Sequence, residues 1–305
     1  MRLATSTCIF PAHRQGGRTP LEESIKMCHE CGFRVIDLNW GGAGSLTAKS
    51  ELAGDDWERN IDSLGNLAAK LGVEFSQSHM PFDSNLYRPE QKLSDEYRTW
   101  FAEASRRCIV ASAKLGVKWV VTHAQTATEQ DEMCFEENMR ANIHYYTPLL
   151  ELAKKEGTGI AIENMAEFHP AKTKHRFTAA LEEQIAIIDA MGDPISCRAC
   201  WDFGHAELVY RDQVKPLRKL GHRLAATHVQ ECDGREDDHY LPFVRGNTNW
   251  EEIMPLLKEI GYDGDFTYEV HGFYMKIPDD LRIEAGKLGY KVGMYLMELY
   301  EKAKC

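Results

Sequence analysis

One pattern repeats along the chain. A short run of β-branched and apolar residues is followed by a longer stretch whose apolar positions recur with helical spacing, the signatures of a strand and of an amphipathic helix. The runs are RLATSTC (2–8), RVIDLNW (34–40), VEFSQSHM (73–80), VKWVVTHA (117–124), TGIAIENM (158–165), SCRACWDF (196–203), LAATHVQEC (224–232) and DFTYEVHG (265–272). Between them the spacing predicts helices near 20–32, 56–71, 94–115, 135–156, 177–191, 212–220 and 250–260, with a last one near 278–302. Several helical stretches end in KLGV (70–73 and 114–117), KEGT (155–158) or EIGYDG (259–264). A glycine there suits the left-handed residue that closes a helix before the next strand.

Strands that alternate with helices need crossovers, and crossovers make a parallel sheet. Eight such units in about 250–300 residues fit an α/β fold of the (β/α)8 TIM barrel type. A doubly wound open sheet would carry a Gly-rich phosphate turn after its first strand. The first run leads instead into CIFPAHRQGG. No linker or low-complexity segment interrupts the chain, so residues 1–305 read as a single domain.

In such a barrel the chemistry sits where the strands end at their C-terminal side. The third run closes on Ser78-His79-Met80, the fourth on Thr122-His123 and the fifth on Ile162-Glu163-Asn164. The sixth closes on Trp201-Asp202, with His205 just beyond. The seventh carries His228, and Asp237, Asp238 and His239 lie in the loop after it. The eighth closes on Tyr268-Glu269, then His271. A single histidine of this kind is ordinarily a hydrogen-bonded core residue, and a single carboxylate ordinarily caps the next helix. Six successive strand ends of this kind are different, because carboxylates converging on one rim repel unless a cation lies between them. Glu163, Asp202, His228 and Glu269 offer three carboxylates and one imidazole. That set suits one divalent ion, Mn²⁺ first, with Mg²⁺, Co²⁺ or Zn²⁺ also compatible.

Composition narrows the setting. The chain is 43% hydrophobic and 27% charged, as a globular protein is. No apolar stretch approaches the roughly 18 residues that span a bilayer, and the N-terminus lacks the apolar core of a secretory signal. Nine cysteines, an odd number, point to reduced thiols in a cytoplasmic protein. Cys28/Cys31 and Cys197/Cys200 have the spacing of a chelating pair, but residues three apart on a strand face opposite sides. A thiolate zinc site is therefore not expected. The net charge of −11 argues against a nucleic-acid partner.

IAIENM around Glu163, WDFGHA around Asp202 and His205, THVQECDG around His228 and TYEVHG around Glu269 together resemble the xylose isomerase-like barrels. That family holds sugar isomerases and epimerases, with endonuclease IV-type apurinic endonucleases as relatives. In the ketose 3-epimerase branch the resemblance implies one divalent metal on Glu163, Asp202, His228 and Glu269. The two glutamates would be the acid–base pair, and His205 would touch a substrate oxygen. In the endonuclease branch it implies three zinc ions on His79, His123, Glu163, Asp202, His205, His228, Asp237, His239 and Glu269, and all nine residues are present. Barrels of this kind also form homo-oligomers. The segment DDHYLPFVRGNTNW departs from the isomerase loop, with Phe243 and Val244 where a glycine is expected.

The favoured chemistry is proton abstraction beside the carbonyl of a sugar, through an enediolate. Expulsion of a β-substituent from the same enediolate, a dehydratase or deglycosylating lyase, is the alternative, and the apurinic endonuclease comes after it. His79, His123 and His239 are further candidates for substrate contact. Phe10, Trp40, Trp201 and Phe273 fall at or past strand ends, where a ring packs on sugar C–H groups, although Trp201, within its strand, reads as core. Arg235, Arg245 and Lys276 are the candidate phosphate ligands, but Glu231, Asp233, Glu236, Asp237 and Asp238 surround them, which favours an unphosphorylated sugar. A nuclease would also need bare cations at the mouth, where Arg88, Lys92 and Arg98 lie among acids.

Overall fold

The structure, a computed structural model, describes residues 1–13, 16–83, 86–88, 91–127, 134–166 and 176–303. Its eight strands are β1 Arg2–Ser6, β2 Val35–Asn39, β3 Glu74–His79, β4 Trp119–Thr122, β5 Gly159–Glu163, β6 Cys197–Asp202, β7 Leu224–His228 and β8 Asp265–Tyr268. β1 to β7 pair in parallel in sequence order, and β1 also pairs with β8. Between β7 and β8, Val229 N–H donates to Thr267 O (2.7 Å) and Glu269 N–H to Val229 O (3.0 Å), which draws the ring together. The chain is a single (β/α)8 barrel.

The helices between strands are α1 Leu21–Cys31, α2 Trp57–Leu71, α3 Asp95–Lys114, α4 Phe135–Glu156, α5 Leu181–Met191, α6 Phe203–Val209, α7 Val214–Leu220, α8 Trp250–Glu259, α9 His271–Tyr274 and α10 Arg282–Lys302. Ser94 caps α3 by accepting from Tyr97 N–H. Gly72 and Gly157 end α2 and α4 in the left-handed conformation that KLGV and KEGT predict.

Alternation along the strands sorts the side chains. Leu3, Ile36, Leu38, Ile160, Ile162, Trp201, Phe266 and Tyr268 face the helices and are buried with them in one large core. Each such side chain contributes roughly 1.5–3 kcal/mol by leaving water. Trp119, Val121, Ala161, Cys200 and Ala226 point into the barrel by the same alternation, and form a separate cluster that Ala225 joins where the β6–β7 register shifts. Cys197 belongs to the outer core and Cys200 to the inner cluster, so this pair does divide between the two faces. The eight described cysteines are all free thiols; Cys305 lies outside the described residues, as do residues 84–85 and 89–90 of the loop after β3.

The differences from expectation lie at the strand ends. The apolar runs overestimate the strands there, because β7 stops at His228 and β8 at Tyr268. Past those points the backbone bends over the mouth: Glu231 makes an antiparallel bridge with Tyr240, and α9 begins at His271. Phe203, expected as the end of a strand, opens α6 instead, because the Asp202 carboxylate accepts from His205 N–H and starts a helix there.

Candidate metal centre and active site

Glu163, Asp202 and His228 are the last residues of β5, β6 and β7, and Glu269 follows β8 by one. Parallel register sets Asp202 beside His228, and the bond from Glu269 N–H to Val229 O pulls Glu269 to the other side of His228. His228 Nδ1 lies 3.1 Å from Glu163 Oε1 and 3.4 Å from Glu269 Oε2. One ligand atom from each of the four residues falls within 4.8 Å of the others. All four residues are buried.

The donor set fits a divalent cation. Glu163 Oε2, Asp202 Oδ2 and both ring nitrogens of His228 are buried without a well-formed hydrogen bond among the described residues, and buried polar atoms are rarely left so. Asp202 shows how the capping and functional readings coexist. Its Oδ1 caps α6 and accepts from Gln230 Nε2 at 3.1 Å, which leaves Oδ2 over. Asn164 fixes the strand end from the side: it accepts from Asp202 N–H (2.7 Å) and donates to Asp202 O (3.0 Å).

Imidazoles and carboxylates alternate around this centre. His123 Nε2 and His79 Nε2 lie 3.1 and 3.4 Å from Glu163 Oε2, and 3.1 Å from each other. On the other flank His205 Nδ1 lies 3.4 Å from Glu163 Oε1, while its Nε2 lies 3.2 Å from Asp237 Oδ2. His239 Nε2 lies 3.2 Å from Asp237 Oδ1. His79, His123 and Glu163 form one potential ligand group, and His205, Asp237 and His239 another.

Charges follow this arrangement. Burial pushes the Glu163 carboxyl up, but His228 and His123 beside it outweigh burial and hold it well below the usual range. Burial raises Asp202 to about 6, with His205 opposing. His228 would fall on burial, yet Glu269 and Glu163 lift it to about 10. In the same way Asp237 lifts His239 to about 9 against burial. Burial dominates at His123, which drops to about 4. Glu163, Glu269 and Asp237 are thus held ionised by the imidazoles around them, while burial leaves Asp202 raised.

The centre forms the floor of a cavity of about 490 Å³ at the strand ends. A larger apolar groove of about 890 Å³ runs between α3 and α4, lined by Leu86, Phe101, Tyr145 and Leu152. Arg98, Arg106 and His144 also line it, but no carboxylate and none of the strand-end residues does, so the smaller cavity is the one with paired acid–base groups. Of the expected site residues, His79, His123, Glu163, His205, His239 and Glu269 all line it.

Trp40 and Arg235 do not. Alternation turns Trp40 outward from Asn39, and its ring is buried in the outer core. Arg235 sits in a surface turn where its N–H donates to Asp233 Oδ1, with the side chain exposed. Phe10 is core too, packed on Tyr274 with ring centroids 5.2 Å apart, and Phe273 packs half-buried on the same ring. Trp201 is buried as expected and donates to Gln213 Oε1.

Four residues at the cavity escaped the strand-end reading. Cys8 lies past β1 with Sγ 3.6 Å from Glu269 Oε1. Asn39 closes β2 and accepts from Gly41 N–H. Phe82, 47% exposed, packs on His123 with centroids 4.4 Å apart and supplies the aromatic wall assigned to Trp40. Arg176 lines the rim. Only Asn39 had a signal, as the polar end of an apolar run; the others come from loops.

Known proteins agree with this picture. An uncharacterized protein of Methanocaldococcus jannaschii, MJ1311, is 28% identical over 269 residues, covering 83% of this chain and 88% of its own. A solved D-tagatose 3-epimerase-like protein superposes with a TM-score of 0.73 at 20% identity, over 99% of both chains. The IOLI protein, solved with a bound zinc atom, gives 0.70 at 15% identity over 100% of this chain and 99% of that one. A family model described as the xylose isomerase-like TIM barrel matches residues 25–288. With that span matched, this chain belongs to the xylose isomerase-like TIM barrel family.

Proposed function

We propose that the protein is a divalent-metal-dependent sugar isomerase or epimerase. The observation that carries this reading is the placement of Glu163 and Glu269 on either side of His228, facing one polar cavity. The family membership and the epimerase-like fold of the solved neighbours support it. Glu163, Asp202, His228 and Glu269 would hold the ion, Mn²⁺ foremost with Zn²⁺, Co²⁺ or Mg²⁺ as substitutes. The bound ion would act as a Lewis acid that stabilises negative charge on the substrate's oxygens.

The chain's own groups do the rest. One glutamate takes the proton from the carbon beside the carbonyl, which leaves an enediolate. The other returns a proton, to the opposite face in an epimerisation or to the neighbouring carbon in an isomerisation. Positioned acid–base groups of this kind contribute roughly 10²–10⁴ in rate each. His205, His239, His79 and His123 contact the sugar's oxygens, and Phe82 packs against its C–H face. The test is incubation with free ketoses and aldoses in deuterated water. Deuterium is expected at the carbon next to the carbonyl, and its absence with every sugar tried, in metal-loaded protein, rejects proton abstraction.

The two further ligand groups favour a second reading, a trinuclear site that cuts abasic DNA. The cations near the mouth count against it. Arg88 and Arg98 donate to backbone carbonyls, and Arg245 pairs with Asp233 and Asp238, whereas DNA binding needs free phosphate partners. One ion per chain by elemental analysis, with no shift of abasic duplex at low salt, is expected. Three ions and tight, salt-sensitive binding would reverse the choice.

A further inference from the structure

Beneath the proposed ligands the inside of the barrel is divided. Toward β4–β7 it is filled by Trp119, Val121, Ala161, Cys200 and Ala226. Toward β8, β1, β2 and β3 the inward positions are polar. Register sets Ser6 against Asp37 and Asp37 against Gln77, and Thr267 occupies the corresponding face of β8. All four are buried. Nε2 of Gln77 and Oγ1 of Thr267 lack a hydrogen-bond partner among the described residues, and the Asp37 carboxylate has no well-formed one, only the Ser6 hydroxyl beside it. Asp37 lies one pleat below Asn39, directly under the site. A buried carboxylate left alone is strongly unfavourable, and it persists where it has a task or a water to hold.

The imidazoles that act on it most strongly are those of His228 and His79. The His228 ring turns Nδ1 toward Glu163 and Glu269, and its other nitrogen, Nε2, has no hydrogen bond. The ring stacks on His79 at 5.5 Å and 15°, and His79 stands one pleat above Gln77 on β3. His79 already has a second partner, since its Nδ1 lies 2.8 Å from Met80 O. After burial, which lifts the carboxyl to about 6, His228 is the largest electrostatic influence on Asp37, ahead of His79. Histidines that bind a metal through one nitrogen characteristically give the other N–H to a carboxylate, carbonyl or water, which fixes tautomer and ring angle.

We infer that Asp37 is a positioning residue of the metal centre: its carboxylate accepts the Nε2–H of His228 through one buried water, and leaves Nδ1 as the nitrogen free for the ion. This rests on the reading of Glu163, Asp202, His228 and Glu269 as a cation site. Asp37 is not among the proposed ligands or the residues lining the cavity, so its effect passes through His228 first.

The experiment is Zn²⁺ titration of metal-free protein against a chromophoric chelator, with wild type, Asp37→Asn and Asp37→Leu compared, each also melted without metal. Wild type is expected to bind Zn²⁺, Asp37→Leu to bind it 10–100-fold more weakly, and Asp37→Asn to lose threefold or more. The metal-free melting of both variants shows that each is folded, so that a loss of Zn²⁺ affinity is read on folded protein. In ¹⁵N-labelled, Zn²⁺-loaded wild type, the His228 ring should show a single Nε2–H tautomer that is lost in Asp37→Leu. If Asp37→Leu does not fold, the isosteric Asp37→Asn decides. A dissociation constant within twofold of wild type in a folded variant overturns the inference and leaves the proposed function standing. Failure of wild type to bind any ion overturns the proposed function, and this inference with it.

Discussion

At the scale of single residues, Glu163 and Glu269 carry the sharpest expectations. Replacement by Gln keeps volume and one ligand oxygen but removes charge and basicity. Glu269→Gln and Glu163→Gln should both stay folded and bind metal more weakly, and they should lose exchange of the substrate proton by at least 10²-fold even with metal in excess. Wild-type exchange in metal-saturated Glu269→Gln, with none in Glu163→Gln, would make Glu269 a ligand only. Elsewhere a carboxylate has a structural task. Glu103 accepts from Arg106 and Arg107 at 2.7 Å each, and Arg107 ties α3 to Leu52 O and Gly54 O. The Arg106 bond, against burial and helped by Arg107, lowers Glu103 from 4.5 to about 2. A depressed carboxylate pKa stabilises the fold above its unfolded value and loses that contribution as pH falls through the folded one. With a third of its side chain exposed, the contribution is roughly 0.2–1 kcal/mol. Urea denaturation of Glu103→Gln should show that loss at pH 7, shrinking steadily as the pH drops from about 4.5 toward 2.

At the scale of elements, glycines decide how closely α10 approaches the barrel. Gly286, Gly289 and Gly293 would bring a Cβ against Cys31, Tyr274 and Leu3 respectively, at 2.5 Å in the case of Leu3 Cδ2. A helical glycine costs about 1 kcal/mol relative to alanine, but overpacking costs roughly 1–3 kcal/mol, and Leu3 is buried with little room to yield. Gly293→Ala should therefore destabilise by about 1–2 kcal/mol. Gly65 in α2 is the contrast, since its Cβ would meet nothing nearer than Leu115 Cδ2 at 3.4 Å. Gly65→Ala should stabilise by about 0.5–1 kcal/mol. Chemical denaturation of the two variants measures both, and equal signs would mean that propensity, not packing, governs α10.

At the scale of the whole molecule, the barrel brings residues from five strands, β2, β3 and β5–β7, and from the segments that follow β1 and β3–β8 to one mouth. The result is a concentration of negative charge that the fold must hold together. An ion bound there couples to global stability, because it binds the folded chain and not the unfolded one. At about 100 times its dissociation constant it adds about 2.7 kcal/mol, which for a chain of this size raises the melting temperature by roughly 4 °C. Calorimetry should show that rise with Mn²⁺ or Zn²⁺, its reversal by a chelator, and none of it in Asp202→Asn at the same ion concentration. An identical rise in that variant would place the ion elsewhere. Among the described residues no helix is long and apolar enough to cross a membrane.

How much of this the chain announces can be followed residue by residue. Strand and helix alternate in the order the apolar periodicity predicts, and Glu163, Asp202, His205 and His228 stand out because a charge at the end of a buried strand has no local explanation. These are properties of short windows, and short windows are what periodicity reports. The sequence by itself therefore determined the barrel, the order of its strands and the face on which its polar ends gather. Only the tertiary structure decided which aromatic ring faces the cavity, because Trp40 and Phe82 differ in the course of the backbone past a strand end and not in residue type. It also decided that Arg235 points to solvent, that Cys8 reaches Glu269 across the closure of the ring, and that Asp37 lies under His228. Those contacts join residues up to 261 positions apart. Their existence depends on barrel closure and strand register, which no local pattern encodes.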